Sequence, residues 1–175
     1  MSFVSPQQVI YELGLQPGMK VVDLGAGTGA YTIPAARLVT EAGKVYAIEV
    51  QRELLTRITS EAQDQGLTNI EILWGDIEHS GGTKLATGLA DVVIIANVLF
   101  QLNNIKGLVA EIMRIVKNDG RVLVVDWADN KGIGPHPNMI VGEDKARELF
   151  TGGGLEFVKN VPAGDHHYGL IFKKI

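Results

Sequence analysis

Short runs of β-branched and other apolar residues alternate with amphipathic segments along this sequence, and that alternation constrains the fold more than any other feature. The apolar runs predict strands at 19–24, 44–49, 69–74, 90–96 and 121–126. Helical patterns lie between them at 30–40, 51–65 and 104–117. Strand–helix–strand units with short links build a parallel sheet that is wound on both faces. We therefore predict a doubly wound α/β fold.

The two ends of the chain depart from this alternation. Near the start, Ser5, Pro6 and Gln8 form the pattern that caps and opens a helix. Near the end, a loop at 127–141 and a short helix at 142–150 precede two strands at 155–161 and 167–173. The residues between those strands cannot hold a crossover helix, so the strands should form an antiparallel hairpin. The prediction is a seven-stranded, mostly parallel sheet with a C-terminal antiparallel hairpin.

Length and composition narrow the class of protein. A chain of 175 residues fits a single domain, which we expect to span 1–175. The net charge of −4 disfavours binding of nucleic acid over a broad face, since such binding depends on displaced counterions. The absence of cysteine excludes disulfides, thiolate metal sites and a cysteine nucleophile. We predict no metal site, because the neighbours His166 and His167 should point to opposite faces of their strand.

The hydrophobic pattern bears on cellular location. The densest apolar stretch, 90–100, carries Asp91 and Asn97 and is far shorter than the ~20 residues that a membrane-spanning helix needs. The first six residues lack the basic flank and apolar core of a signal peptide. We therefore expect a cytoplasmic protein with no membrane insertion.

Four features follow the predicted strands at the edge where an open α/β sheet binds its ligands. The glycine-rich segment 23–29, DLGAGTG, follows the first strand, and its glycines allow a sharp turn and close approach to a ligand. Glu49 ends the second strand, Asp76 follows the third and Asn97 follows the fourth. We predict that these residues border one ligand site.

The charges of that site help to select the ligand. A dinucleotide brings a pyrophosphate, which carboxylates repel, whereas S-adenosylmethionine carries a sulfonium and an ammonium against one carboxylate. The carboxylates of Asp23, Glu49 and Asp76 therefore favour the methyl donor. A loose dinucleotide-binding pattern at Gly25, Gly27 and Ala30 keeps a nicotinamide-dependent oxidoreductase as an alternative.

The segments 21–29, 45–49, 75–77 and 90–93 together resemble the successive motifs of class I S-adenosylmethionine-dependent methyltransferases. The sequence is most similar to the group that includes the ubiquinone/menaquinone biosynthesis methyltransferases. The resemblance implies a Rossmann-like fold, S-adenosyl-L-methionine as cofactor and methyl transfer to a small or medium-sized acceptor. A non-catalytic module that binds an adenosyl ligand remains an alternative.

The resemblance also implies a set of cofactor contacts in the glycine loop and at the strand ends. They are Asp23, Gly25, Ala26, Gly27, Glu49, Val50, Gly75, Asp76, Ile77 and Asn97. Asp23 and the glycines are expected against the methionine part, and Glu49 on the ribose hydroxyls. Asp76 is expected on the adenine amino group, Val50 and Ile77 on its two faces, and Asn97 near the sulfonium.

The acceptor is less constrained. The segment 97–100 lacks the Asn/Asp-Pro-Pro-aromatic motif of methyltransferases that act on exocyclic or amide nitrogens, and the cysteines of arsenic methyltransferases are absent. A small-molecule acceptor is expected, and a protein or RNA acceptor stays open because the sequence predicts no lid. Methyl transfer depends chiefly on alignment, so a general base is optional. The candidate bases are Tyr31, Asp126, His136 and His166.

Overall fold

Seven strands form one sheet in the computed structural model, which describes residues 4–129 and 133–175. They are β1 (Lys20–Leu24), β2 (Lys44–Glu49), β3 (Ile70–Trp74), β4 (Ala90–Ala96), β5 (Val116–Trp127), β6 (Leu155–Val161) and β7 (His167–Lys174). Their order across the sheet is β3-β2-β1-β4-β5-β7-β6. The first five strands in this order are parallel, and β7 runs antiparallel to both of its neighbours. The predicted sheet and its C-terminal hairpin are confirmed.

Helices cover both faces of the sheet. They are α1 (Pro6–Tyr11), α2 (Thr32–Val39), α3 (Arg52–Asp64), α4 (Ile105–Ile115) and α5 (Glu143–Gly152), with 3-10 turns at Leu99–Gln101 and Pro137–Met139. α1 opens with the predicted capping box between Ser5 and Gln8. Along β4, Val92 and Ile94 pack with α1 and α2, whereas Val93 and Ile95 pack with α4 and α5. This alternation explains why β4 is apolar along most of its length.

The start of β5 differs from the sequence-based prediction. The pattern predicted a helix to 117 and a strand from 121, but α4 ends at Ile115 and β5 begins at Val116. Val116 has extended backbone angles and pairs with Ala90, while Arg121 pairs with Val92. Residues 117–120 of β5 form an irregular stretch, because Asp91 is the single β4 residue between these two pairs. Residues 117–120, which are polar or glycine, gave no apolar run, so a hydrophobicity pattern could not predict that the strand begins at Val116.

Two sequence-based expectations fall partly outside the described residues. The expectation of no signal peptide rested on residues 1–6, of which 1–3 are not described. The predicted loop 127–141 includes residues 130–132, which are not described either. Within 4–129 and 133–175, no helix combines the length and the apolar character needed to cross a lipid bilayer.

Candidate functional site

A cavity of about 380 Å³ opens where β1, β2, β3 and β4 end, at the edge that the sequence predicted. That volume is in the range of small-molecule sites. All ten residues of the predicted cofactor contact set line it. The structure thus brings these residues together, and their contacts with a cofactor stay a prediction. The lining also includes Glu78, Gln101 and Leu102, which the sequence-based prediction missed.

The glycine loop forms one wall of the cavity through close backbone contacts. The amides of Gly25 and Ala26 donate to the carbonyl of Ile48 at 2.9 and 3.0 Å, which joins the ends of β1 and β2. Gly25 has φ +73°, and a Cβ there would lie 2.6 Å from Cγ2 of Val98. An L side chain at this position would meet both backbone strain and a steric clash. Val98, the second residue after β4, therefore packs directly on the loop only because position 25 is glycine.

Asp23 lies at the base of the loop and is 2% exposed. Its Oδ2 accepts a hydrogen bond from the Thr32 hydroxyl at 2.6 Å, which ties the end of β1 to the first turn of α2. Burial raises the pKa of the Asp23 carboxyl to about 6, against the opposing effect of the Thr32 hydrogen bond, and the nearby Glu49 raises it further. Asp23 can therefore change charge near neutral pH while facing the cavity.

Glu49 ends β2 with its carboxylate bound to backbone amides. One oxygen accepts the N–H of Gly27 at 3.0 Å, and the other accepts those of Val50 at 2.8 Å and Gln51 at 2.9 Å. A carboxylate has about four acceptor positions, so three amides leave capacity for one further donor. Glu49 therefore shapes the glycine loop and can still accept a ligand hydroxyl.

Asp76 is the second residue after β3 and lines the cavity. Its Oδ1 accepts the N–H of Glu78 at 2.9 Å, and its Oδ2 lies 3.1 Å from Nδ1 of His79. The two residues expected to flank an adenine ring differ, since Ile77 is 6% exposed and Val50 is 49% exposed. Ile77 forms a buried wall, and Val50 lies on the rim.

Asn97 turns the chain directly after β4. It has φ +56°, a conformation that asparagine tolerates better than most residues. Its N–H donates to the carbonyl of Val125 at 2.8 Å, and its carbonyl accepts from Nε2 of Gln101 at 3.1 Å. This turn places Asn97 and Gln101 on the same part of the cavity lining.

Tyr31 is the only one of the four candidate bases that lines the cavity. Burial, together with the charge of Asp23, raises the pKa of its phenol well above the ordinary value. The phenol therefore stays protonated near neutral pH and can donate a hydrogen bond, but it is a poor proton acceptor.

The other three candidate bases are not among the residues that line the cavity, and a role for them as bases stays a prediction. Asp126 is fully buried, and it accepts the amides of Val98 at 3.0 Å, Leu99 at 2.8 Å and Trp127 at 2.8 Å. It holds the segment after β4 in place, and burial raises the pKa of its carboxyl.

The two histidines have local partners instead. His136 is exposed on a loop with its Nδ1 2.7 Å from Oδ1 of Asn138. His166 is 5% exposed, with its Nδ1 2.9 Å from Oδ1 of Asp129. Over the described part of the chain, no three His, Asp or Glu side chains are grouped so that they could hold a metal ion.

The sequence-based prediction also missed the buried carboxylate of Glu111, on α4. It accepts the amides of Gly81 at 2.7 Å and Thr83 at 3.2 Å, the Thr83 hydroxyl at 2.5 Å, and the Arg114 guanidinium at 2.7 and 2.8 Å. Although burial opposes ionisation, the hydrogen bonds from Arg114, Thr83 and Gly81 lower the pKa of Glu111 to about 2. Glu111 thus fastens the segment between β3 and β4 to α4.

The charged side chains that line the cavity in the described part of the chain are all acidic. Four carboxylates line it, from Asp23, Glu49, Asp76 and Glu78, and no Lys, Arg or His does so within the described residues. Opposite charges attract strongly where water is partly excluded. The cavity therefore suits a ligand with positive charge and disfavours one with a pyrophosphate.

The chain is similar in sequence and in structure to known methyltransferases. A family described as a methyltransferase domain matches residues 15–154, which is more than half of the sequence. The chain is 27% identical to a SAM-dependent methyltransferase from Aquifex aeolicus of known crystal structure, with a TM-score of 0.88 over 97% of this chain and 89% of that one.

Two curated relatives are similar over a shorter part of their own length. The chain is 28% identical to the ubiquinone/menaquinone biosynthesis C-methyltransferase UbiE of Shewanella pealeana over 68% of this chain and 47% of the relative. It is 27% identical to the nocamycin O-methyltransferase of Saccharothrix syringae over 61% of this chain and 37% of the relative. The chain therefore spans about half or less of these relatives.

Proposed function

The chain belongs to a family of methyltransferase domains, as its motifs predicted, and on that premise we propose that it transfers the methyl group of S-adenosylmethionine to a small or medium-sized acceptor. In such a transfer a lone pair of the acceptor forms a bond to the methyl carbon as the carbon–sulfur bond breaks and its electrons return to sulfur. The contribution of the protein is to bind both partners and to align them.

The observation that carries the proposal is the set of carboxylates around the glycine loop. S-adenosylmethionine has a net positive charge, and the cavity lining offers Asp23, Glu49, Asp76 and Glu78 with no described basic side chain among them. A nicotinamide dinucleotide would place its pyrophosphate against these carboxylates. The charge of the cavity therefore favours methyl transfer over the oxidoreductase alternative.

The residues that line the cavity fit the methyl donor, S-adenosylmethionine. The backbone of Gly25 and Gly27 forms a cradle for the methionine part, with Asp23 beneath it as a partner for the ammonium. Glu49 has an acceptor position left for a ribose hydroxyl. Asp76 presents a half-exposed carboxylate for the adenine amino group, and Ile77 supplies an apolar wall for the ring.

The acceptor must bring its own nucleophile. Tyr31 is the candidate base at the cavity, and its phenol stays protonated near neutral pH, so its role is to donate a hydrogen bond to the acceptor. An activated carbon, a phenolate or a neutral amine meets this requirement, because none of them needs a protein base before it attacks. The named relatives are a C- and an O-methyltransferase, which supports a small-molecule acceptor.

A binding titration tests the proposal. The purified protein should bind S-adenosylmethionine and S-adenosylhomocysteine and should leave the fluorescence of NADH unchanged. Incubation with an isotope-labelled methyl donor and a cell extract should then give a labelled product that mass spectrometry can identify. No binding of either adenosyl ligand at millimolar concentration would overturn the proposal. Binding without transfer across a broad acceptor panel would favour the non-catalytic module.

A further inference from the structure

We propose that Glu78 is a positioning residue that sets the place of Asp76 at the nucleobase end of the cavity, by tying the segment after β3 to the start of α4. The inference rests on the proposed function, because it concerns how the adenine of the donor is recognised. Glu78 lines the same cavity as Asp76 and lies two residues after it.

The carboxylate of Glu78 binds the chain just before α4. Its Oε1 accepts the amide of Asn103 at 2.6 Å and that of Asn104 at 2.5 Å. Asn104 is the N-cap of α4, and amides at a helix start lack helical partners and favour negative charge. The negative charge of Glu78 therefore strengthens this link.

The backbone of Glu78 completes the connection. Its N–H donates to Oδ1 of Asp76 at 2.9 Å, and its carbonyl accepts from Nδ2 of Asn104 at 3.0 Å. The N–H, the carbonyl and the carboxylate of this one residue thus all take part in joining Asp76 to α4. A change at the α4 end of this link is transmitted to Asp76 through a single residue.

Two glycines allow the close approach that this link requires. A Cβ at Gly107, in the first turn of α4, would lie 1.9 Å from the carbonyl oxygen of Glu78. A Cβ at Gly82 would lie 1.9 Å from the carbonyl oxygen of Asp76. Both carbonyls belong to the backbone, so neither could move aside without shifting the segment. The packing holds the backbone of Glu78 against α4 and that of Asp76 against Gly82, in the segment between β3 and β4.

The consequence concerns the side chain of Asp76, which is 47% exposed. Without the link, the contact with Nδ1 of the exposed His79, at 3.1 Å, would be left to hold this side chain toward an exocyclic amino group. The link also joins two parts of the cavity lining. Glu78 lines the cavity after β3, and it binds the amide of Asn103, which directly follows the lining residue Leu102. Glu78 therefore controls how well the site distinguishes adenine from a base that lacks the amino group.

The test compares the affinities of wild type and five variants for S-adenosylmethionine and for its analogue with hypoxanthine in place of adenine. Glu78→Ala should weaken binding of the adenine form about tenfold, the effect expected when hydrogen bonds to a charged group are lost, and should largely remove the preference for adenine. Glu78→Gln keeps an acceptor oxygen and should stay within about threefold of wild type.

Asp91→Ala is the matched control for a loss of stability alone. Asp91 begins β4 at the opposite edge of the sheet, where it accepts the amide of Lys20 at 2.8 Å and the Lys117 ammonium at 2.5 Å. This variant should lower the melting temperature and keep the preference for adenine. Asp76→Ala combined with Glu78→Ala should lose no more of that preference than Asp76→Ala alone, since both residues act through one contact.

The outcomes separate this inference from the proposed function. If wild type binds S-adenosylmethionine and Glu78→Ala retains both its affinity and its preference for adenine, the role of Glu78 is overturned and the proposed function stands. The role is equally overturned if Asp91→Ala loses the preference to the same extent. If wild type binds neither adenosyl ligand, both the inference and the proposed function fail.

Discussion

The carboxylate of Glu49 accepts the amide of Gly27 at 3.0 Å, a contact between residues 22 positions apart in sequence. It joins the end of β2 to the glycine loop, and the second oxygen of Glu49 holds the start of the segment that leads into α3. One carboxylate thus shapes two walls of the cavity and keeps capacity for one further donor.

Glu49→Ala should weaken the binding of S-adenosylmethionine by about 1–3 kcal/mol, because the Gly27 amide and a ribose hydroxyl of the ligand both lose their hydrogen-bond acceptor. Calorimetric titration measures this change directly. Glu71→Ala is the control, since Glu71 lies on β3 and pairs only with the half-exposed Lys44 in the described contacts. Affinity equal to that of wild type in Glu49→Ala would remove Glu49 from the site.

Gly25→Ala should destabilise the fold more than Gly66→Ala, although both glycines have positive φ, +73° and +67°. A Cβ at Gly66 meets nothing within 4 Å, so that variant isolates the backbone cost of about 1–2 kcal/mol. At Gly25 the clash with Val98 adds about 1–3 kcal/mol. Urea denaturation gives both values. Equal losses in the two variants would show that Val98 does not press on the loop.

A second change sharpens the comparison at Gly25. Val98→Ala removes both Cγ atoms that the new Cβ would meet at 2.6 and 3.3 Å. Gly25→Ala combined with Val98→Ala should therefore be less destabilised than the sum of the two single changes. Strict additivity would assign the whole cost to the backbone angle.

The affinity for S-adenosylmethionine should fall as the pH is lowered through about 6, because the Asp23 carboxyl is protonated in that range and loses its attraction for the ammonium. Titration calorimetry at pH 5 and pH 7 measures the change. Asp23→Asn should bind more weakly at pH 7 and show little further loss at pH 5. A wild-type affinity that is the same at both values would contradict the role of Asp23.

The same carboxyl should affect stability in the opposite direction. Its pKa in the folded protein, about 6, lies above the ordinary value of 3.8, so the folded state binds the proton more tightly. This contribution to stability is complete below about pH 4 and is lost as the pH rises through 6, a difference of about 3 kcal/mol. Asp23→Asn should therefore unfold at a higher urea concentration than wild type at pH 7.

Tyr31→Phe should reduce the rate of methyl transfer by less than about tenfold, because a protonated phenol supplies a hydrogen bond and does not remove a proton. Loss of a true general base costs about a hundredfold to ten-thousandfold. Single-turnover measurement with the acceptor found by isotope labelling distinguishes these values. A hundredfold loss would restore Tyr31 as the base.

Much of the fold could be predicted because its strands are short segments rich in apolar residues, bounded by polar or glycine residues. The bounds of β2, β4 and β6 agree with the predicted strands. The start of β5 could not be found in this way, because Lys117 to Gly120 resemble a turn but belong to a strand held by its neighbours. A pattern of hydrophobicity does not contain that tertiary constraint.

The candidate site, too, could be predicted from the sequence only in part, because some of its contacts depend on tertiary structure. The carboxylates at strand ends could be predicted, because parallel strands bring their carboxyl ends to one edge. Glu78 and Glu111 could not, since an acidic residue in a loop or on a helix is normally assigned to the solvent side. Asp126 was weighed as a base because it ends a strand, but three backbone amides use its carboxylate.

The position of β7 between β5 and β6 has a consequence for biosynthesis. β5 and β6 both precede β7 along the chain, yet each pairs with it. Until β7 has left the ribosome, both strands keep a row of unsatisfied amides and carbonyls, which is where other chains can attach and aggregate. A chaperone that shields nascent strands should therefore improve the yield of this protein most in the interval between the synthesis of β5 and that of β7.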